Sequence, residues 1–212
     1  MKFPKCDETP LGIYPVVDRA DKLTPLYECG ITTAQLRVKD MEGEALEAEI
    51  IKGVNISKRY QARFFINDYW QLAIKHNAYG VHLGQEDIQG ASMEIEAIYA
   101  AGLRLGISSH TPEEIEIALL FKPSYLAIGP IYEPISKKMS YKDVGPEKLK
   151  QWAKHVECPI VAIGGITEKN IIDVVAIGVT SGIAMISAVL ENGSISRKKT
   201  EILMKIFEYY DK

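Results

Sequence analysis

Three short segments collect the residues best able to do chemistry. Gln35-Leu36-Arg37-Val38-Lys39 alternates polar and apolar positions, so on an extended strand Gln35, Arg37 and Lys39 project from one face. Asn67-Asp68 closes the apolar run Phe64-Phe65-Ile66, and Gly84-Gln85-Glu86-Asp87 closes the run Gly80-Val81-His82-Leu83. Two carboxylates with an asparagine, and no histidine pair, suit a hard oxygen-seeking cation such as Mg2+ rather than zinc. Arg37 and Lys39 suit phosphate oxygens. A diphosphate bridged by Mg2+ would satisfy acids and bases together. The competing explanation is structural: ion pairs of the Arg37–Asp87 kind would merely rivet one end of the fold. A second anion site is written in Ile163-Gly164-Gly165-Ile166 and Met185-Ile186-Ser187-Ala188, where glycines let a phosphate approach backbone amides. The plainer alternative there is a pair of tight turns.

These residues need a scaffold that brings distant segments to one place, and the chain repeats a suitable phrase: a short apolar run, a polar or glycine stop, then a helical period. The runs are Ile13 to Asp18, Ala34 to Val38, Arg63 to Ile66, Gly80 to Leu83, Arg104 to Ser108, Tyr125 to Ile128, Ile160 to Ile163 and Gly182 to Ile186. Pro15 argues against the first. Helices are predicted over Gly43 to Tyr60 (with Leu46, Ile50, Val54 and Ile56 on one face), Trp70 to His76, Met93 to Ala101 and Ser196 to Tyr210. A further helix is expected to begin at Thr111-Pro112, with Thr111 as its cap. Strands buried on both faces and alternating with helices call for a parallel sheet. Eight of them, with no composition break, predict an α/β fold closed as a single-domain (β/α)8 TIM barrel over residues 1–212. A doubly wound open sheet would need a glycine fingerprint after its first strand, and Asp18-Arg19-Ala20 offers none.

In such a barrel the C-terminal strand ends form the active-site mouth. Gln35, Arg37, Lys39, Asn67, Asp68, Gln85, Asp87, Ser108, His110, Ser136, Lys137, Gly164, Gly165 and Ser187 would then be neighbours. His82 alternates into a strand interior and reads as a hydrogen-bonded core residue rather than a base. Glu113-Glu114-Glu116 reads as a solvated helix face.

Composition sets the class. At 212 residues, 47% hydrophobic, 25% charged and net charge −3, the chain is that of an ordinary soluble protein with no surface for nucleic acid. The longest apolar stretches, such as Ile183 to Leu190, fall short of the ~20 residues that span a membrane, and Met1 to Cys6 lacks a signal-peptide core. Cys6, Cys29 and Cys158 show no metal-ligand spacing and read as reduced thiols of a cytoplasmic protein. The expected partners are small phosphorylated molecules, and oligomeric state, a homo-oligomer included, stays open.

The segments QLRVKD, FFINDYWQLAIKHNAYGVHLGQED, GISSHT, AIGP, VAIGGI and AMISA, in that order, closely resemble the thiamine-phosphate synthase family. The resemblance spans strands two to eight. It implies a (β/α)8 transferase that joins 4-amino-2-methyl-5-hydroxymethylpyrimidine diphosphate to 4-methyl-5-(2-phosphoethyl)thiazole or its carboxylated form, releasing diphosphate. By the same resemblance, Gln35, Arg37, Lys39 and Asn67 bind the pyrimidine diphosphate, and Asp68 and Asp87 hold Mg2+. Ser108 and Lys137 face the pyrimidine, while Gly165, Ile186 and Ser187 hold the thiazole phosphate. Arg37, Lys39 and Lys137 are the expected catalytic cations. One departure stands out: the family's Thr-x-Thr-Lys after strand six is here Pro134-Ile135-Ser136-Lys137. Ser136 keeps a hydroxyl for substrate, whereas Pro134 has neither hydroxyl nor backbone donor.

Three rivals share this pattern. A thiazole tautomerase-like barrel would leave Lys39, Asp68 and Asp87 without a task, and Pro130 stands where that branch uses a histidine. A Schiff-base aldolase would need one lysine desolvated away from other cations. A non-catalytic phosphate-binding barrel would keep the cup without turnover, and Pro134 is its only support.

Overall fold

A computed structural model describes residues 1–7, 9–133 and 143–210. Eight parallel strands close into a barrel in sequence order: β1 (Gly12–Val17), β2 (Thr33–Leu36), β3 (Arg63–Asn67), β4 (Gly80–Leu83), β5 (Arg104–Ser109), β6 (Tyr125–Ile128), β7 (Ile160–Ile163) and β8 (Gly182–Met185). The seam is β1 against β8, with Ile13 opposite Ile183 and Pro15 opposite Met185. Pro15 is therefore tolerated inside a doubly paired strand, because each residue's N–H serves only one neighbour and a single bond is lost.

Helices fill the connections: α1 (Leu23–Glu28) after a short 3-10 turn (Ala20–Lys22), α2 (Gly43–Arg59), α3 (Trp70–Lys75), α4 (Gln85–Ile88), α5 (Ser92–Ala100), α6 (Pro112–Leu120), α7 (Gly145–Ala153), α8 (Ile171–Val175) and α9 (Arg197–Tyr210). A two-stranded hairpin, β9 (Leu190–Glu191) with β10 (Ser194–Ile195), precedes α9. Neither the hairpin nor α4 carries a periodicity long enough to read from sequence. The expected apolar face of α2, Leu46, Ile50, Val54 and Ile56, is buried. Thr111 accepts a hydrogen bond from Glu114 N (3.3 Å) at the start of α6, as its position before Pro112 predicts.

The core has two layers. One lies between strands and helices and includes Leu23, Ile50, Phe64, Ile66, Leu105, Leu126 and Ile183. The other fills the barrel with Leu11, Tyr14, Val16, Phe65, Tyr125, Ala127, Val161 and Ala184. Its centre is aromatic: the Phe65 ring meets Tyr125 edge-on at 5.1 Å and Tyr79 at 5.4 Å, and Tyr14 lies 5.9 Å from both Phe65 and Tyr125. Gly80 and Gly106 make room for this plug, since a Cβ at either would strike the ring of Phe65 or of Tyr125. With the lower barrel filled by rings, the C-terminal end of the barrel is left open for a ligand.

Candidate active site

A cavity of about 110 Å3 opens above the aromatic plug, lined by Tyr14, Gln35, Arg37, Asn67, His82, Ser108, Tyr125, Ile163 and Ile186 among others. Gln35, on β2, is 4% exposed and Asn67, last residue of β3, 7%. β2 ends at Leu36, so Arg37 and Lys39 stand just beyond the strand rather than within it. Arg37 stays in register because its N–H donates to Val17 O (2.8 Å). Both side chains are exposed. Lys39 Nζ pairs with Asp68 Oδ2 at 2.5 Å, and no ion pair of Arg37 occurs among the described residues. The competing rivet of the Arg37–Asp87 kind is thus absent among the described residues, and the ion pair at this end joins Lys39 to Asp68.

Asp68 has φ +66°, a left-handed conformation in which few residues other than glycine settle. Its N–H still donates to His82 O across β4 (3.0 Å), so the bend occurs while the strand is held. This local strain turns the carboxylate toward Lys39.

Asp87 does not extend β4. It lies in α4, and its Oδ2 accepts the Gly84 N–H at 2.7 Å. Burial first, and the nearby charges of Asp68 and Glu86 next, push its carboxyl upward from the ordinary value, while the Gly84 N–H and Lys39 pull it back. Two carboxylates that repel each other across the mouth are a place where a cation lowers the energy. Among the described residues no group of three His, Cys, Asp or Glu is assembled for a metal.

Other expected neighbours lie elsewhere. Gln85 is buried, and its amide donates to Ser108 O (2.7 Å) and Ser109 Oγ (3.1 Å), tying α4 to β5 instead of facing the mouth. His110 turns away to Glu114, whose Oε2 accepts from His110 N at 2.6 Å and lies 2.9 Å from Nδ1. Glu114 is therefore half-buried and tied down, unlike the exposed Glu113 and Glu116 of the same helix. Ile186 and Ser187 follow the end of β8 and are exposed, Ile186 by 55%. Gly164 and Gly165 have φ of +98° and +66°, and a Cβ on them would strike Pro130 and Tyr132. Their lack of side chains is required by the loop after β6, which bonds back through Ile131 N to Ile163 O and Tyr132 N to Gly164 O. Pro134, Ser136 and Lys137 fall outside the described residues.

The residues missed from sequence are Tyr14, His82 and Tyr125 as cavity lining. His82 is buried and hydrogen-bonded as expected, yet it also reaches Ser108 Oγ from Nε2 (2.7 Å) and Tyr125 OH from Nδ1 (2.7 Å). The usable signal was chemical: a tyrosine in a buried strand needs a hydrogen-bond partner. No cysteine contributes, as burial raises all three thiols, Cys6 to about 12 and Cys158 to about 11.

Residues 13–189 match the family described as thiamine monophosphate synthase. The chain is 50% identical over 185 residues to the thiamine-phosphate synthase of Salmonella schwarzengrund, covering 85% of each. It is 47% identical over 197 residues to that of Salmonella typhimurium, covering 91% of this chain and 90% of the other. A thiamine phosphate pyrophosphorylase structure from Pyrococcus furiosus superposes with a TM-score of 0.83 at 30% identity, covering 94% of this chain and 96% of that one. No helix among the described residues is long and apolar enough to cross a membrane.

Proposed function

Since the chain belongs to the thiamine-phosphate synthase family and is a transferase, we propose that its barrel mouth joins an aminopyrimidine methyl diphosphate to a thiazole phosphate. The observation that carries this reading is the charge cluster in which Lys39 pairs with Asp68 while Asp87 senses both, beside Arg37. A diphosphate with its cation complements that cluster, whereas an uncharged ligand would leave it idle.

In the proposed reaction the bond from the pyrimidine methylene carbon to the diphosphate oxygen breaks, and the electron pair leaves with diphosphate. The electron-rich aminopyrimidine spreads the resulting positive charge. The thiazole nitrogen then gives its lone pair to the methylene carbon. No protein nucleophile or base is needed. The protein holds two reactants in line and stabilises charge on the leaving group. Gln35 and Asn67 would orient the pyrimidine from β2 and β3, Ser108 would face it from β5, and Arg37 and Lys39 would meet the departing oxygens. Gly165, Ile186 and Ser187 would hold the thiazole phosphate, Lys137 would act on the pyrimidine diphosphate, and Ser136 would offer its hydroxyl to substrate. Asp68 and Asp87 fit Mg2+ as oxygen donors of a site completed by substrate phosphates and water. When bound, the ion would neutralise diphosphate as it departs.

A one-pot assay with both substrates, following diphosphate release with and without chelator, tests this. Release should require both substrates and a divalent cation. Release that survives chelation removes the metal from the reading, and no release with both substrates and Mg2+ removes the reaction itself.

A further inference from the structure

Five side chains contributed by five strands form one unbroken hydrogen-bond path across the cavity floor. Gln35 Nε2 donates to Tyr14 OH (3.3 Å), Tyr14 OH lies 2.9 Å from Tyr125 OH, Tyr125 OH lies 2.7 Å from His82 Nδ1, and His82 Nε2 lies 2.7 Å from Ser108 Oγ. Tyr14 and Tyr125 are 1% exposed and His82 6%, so the middle of the path is largely shielded from solvent. The Tyr125 ring also stacks on the His82 imidazole at 5.7 Å between centroids and 19° between planes, holding the ring in place.

Proton counting gives the path a direction. An amide nitrogen only donates, so Tyr14 accepts from Gln35 and must spend its single proton on Tyr125. Tyr125, which accepts from Tyr14, in turn has only His82 Nδ1 to donate to among the described residues. Because Tyr125 donates to Nδ1, that nitrogen is bare, and the ring's proton sits on Nε2. His82 Nε2–H then donates to Ser108 Oγ. The Ser108 hydroxyl proton has no acceptor among the described side chains, and Ser108 lines the cavity.

We propose that this path is a one-way relay, set at the Gln35 amide, that makes Ser108 a hydrogen-bond donor aimed at an acceptor atom of a heteroaromatic ligand, with Tyr125 and His82 as positioning residues. Run the other way, Ser108 would donate to His82 and read a ligand amino group instead. The polarity therefore decides which edge of a ring the floor recognises. The identity of that ring rests on the function proposed above; the relay's direction does not.

Two measurements test it. In protein labelled with 15N-histidine, the His82 signals, assigned by their loss in His82→Gln, should show a bare Nδ1 and a protonated Nε2 at neutral pH. In Tyr125→Phe, which removes the donor to Nδ1, the ring should become a mixture of tautomers. A proton on Nδ1 in the parent protein, or a ring unchanged by Tyr125→Phe, would overturn the relay. Calorimetry then compares the aminopyrimidine diphosphate with analogues in which one or the other ring nitrogen is replaced by CH. One analogue should bind about tenfold more weakly, the size of one lost hydrogen bond. That discrimination should vanish in Ser108→Ala and return in Ser108→Thr, which keeps the hydroxyl. Discrimination that persists in Ser108→Ala overturns the donor role of Ser108. Should neither pyrimidine bind, the recognition half falls together with the proposed function, while the ring-proton measurement still decides the relay.

Discussion

Arg63 opens β3 at the bottom of the barrel, and Arg37 follows the end of β2 at the top. Arg63 is 4% exposed, and its guanidinium donates to Thr9 O (2.9 Å), Thr9 Oγ1 (3.2 Å), Pro10 O (2.7 Å) and Thr32 Oγ1 (2.9 Å). Arg37 is exposed and has no such bonds among the described residues. The Arg63 guanidinium is spent on these four bonds, so it needs no ligand. At the top a cation lacks an ion-pair partner among the described residues, Asp68 has a left-handed backbone, and its charge helps push the Asp87 carboxyl upward. The same residue type thus does stabilising work at one end and is held ready at the other, which is how a barrel separates stability from function.

Substitutions at the two ends should separate in the same way. Asp87→Asn is expected to lower turnover about a thousandfold, the scale of losing a charged group that acts at the reacting centre. It should leave the thermal midpoint unchanged or higher, because Asn still accepts the Gly84 N–H and the repulsion from Asp68 is gone. Near-normal turnover would break the assignment of the top. Arg63→Ala should do the opposite. It strands four acceptors at the bottom and should cost about 4 kcal/mol in denaturant unfolding. Its kcat, measured well below its new midpoint, should change less than twofold; a large loss would mean that the two ends are not independent.

Acid sharpens the comparison within the cavity. Burial lowers the His82 pKa from 6.5 to about 4, so the unfolded chain takes up that proton first. Stability present above about pH 6.5 should drain away as pH falls toward 4, by a total on the order of 3 kcal/mol from this group. Urea midpoints against pH should therefore converge between the parent and His82→Gln on acidification. A constant separation across that window would contradict a neutral buried ring. The smallest effect is expected at the rim: Ser187→Ala should weaken thiazole phosphate binding by about 1 kcal/mol in calorimetry and leave pyrimidine affinity unchanged.

Much of this was legible in the chain itself. Short apolar runs punctuated by polar stops predict eight strands, and β4, β6 and β7 have the expected bounds because a glycine follows each and a proline stands just before β6 and β7. The alternation in Gln35-Leu36-Arg37-Val38-Lys39 and the acids after two runs point to a charged barrel mouth, since side-chain period and charge are local properties. Strand closure turned those separate segments into neighbours, but it also decided matters that no local pattern encodes. Lys39 met Asp68 across 29 residues of sequence, although Arg37 was an equally plausible partner by charge. Gln85 and His110, polar residues beside strand ends, were turned aside by Ser109 and Glu114, which offered closer hydrogen-bond partners. Tyr14 and Tyr125, 111 residues apart, look like ordinary strand residues until Gly106 leaves space for one ring and His82 supplies an acceptor. Residue type and spacing determine which groups are available and which face they share. Which donor meets which acceptor depends on distances of about an ångström between segments far apart in sequence, and only the closed barrel sets those.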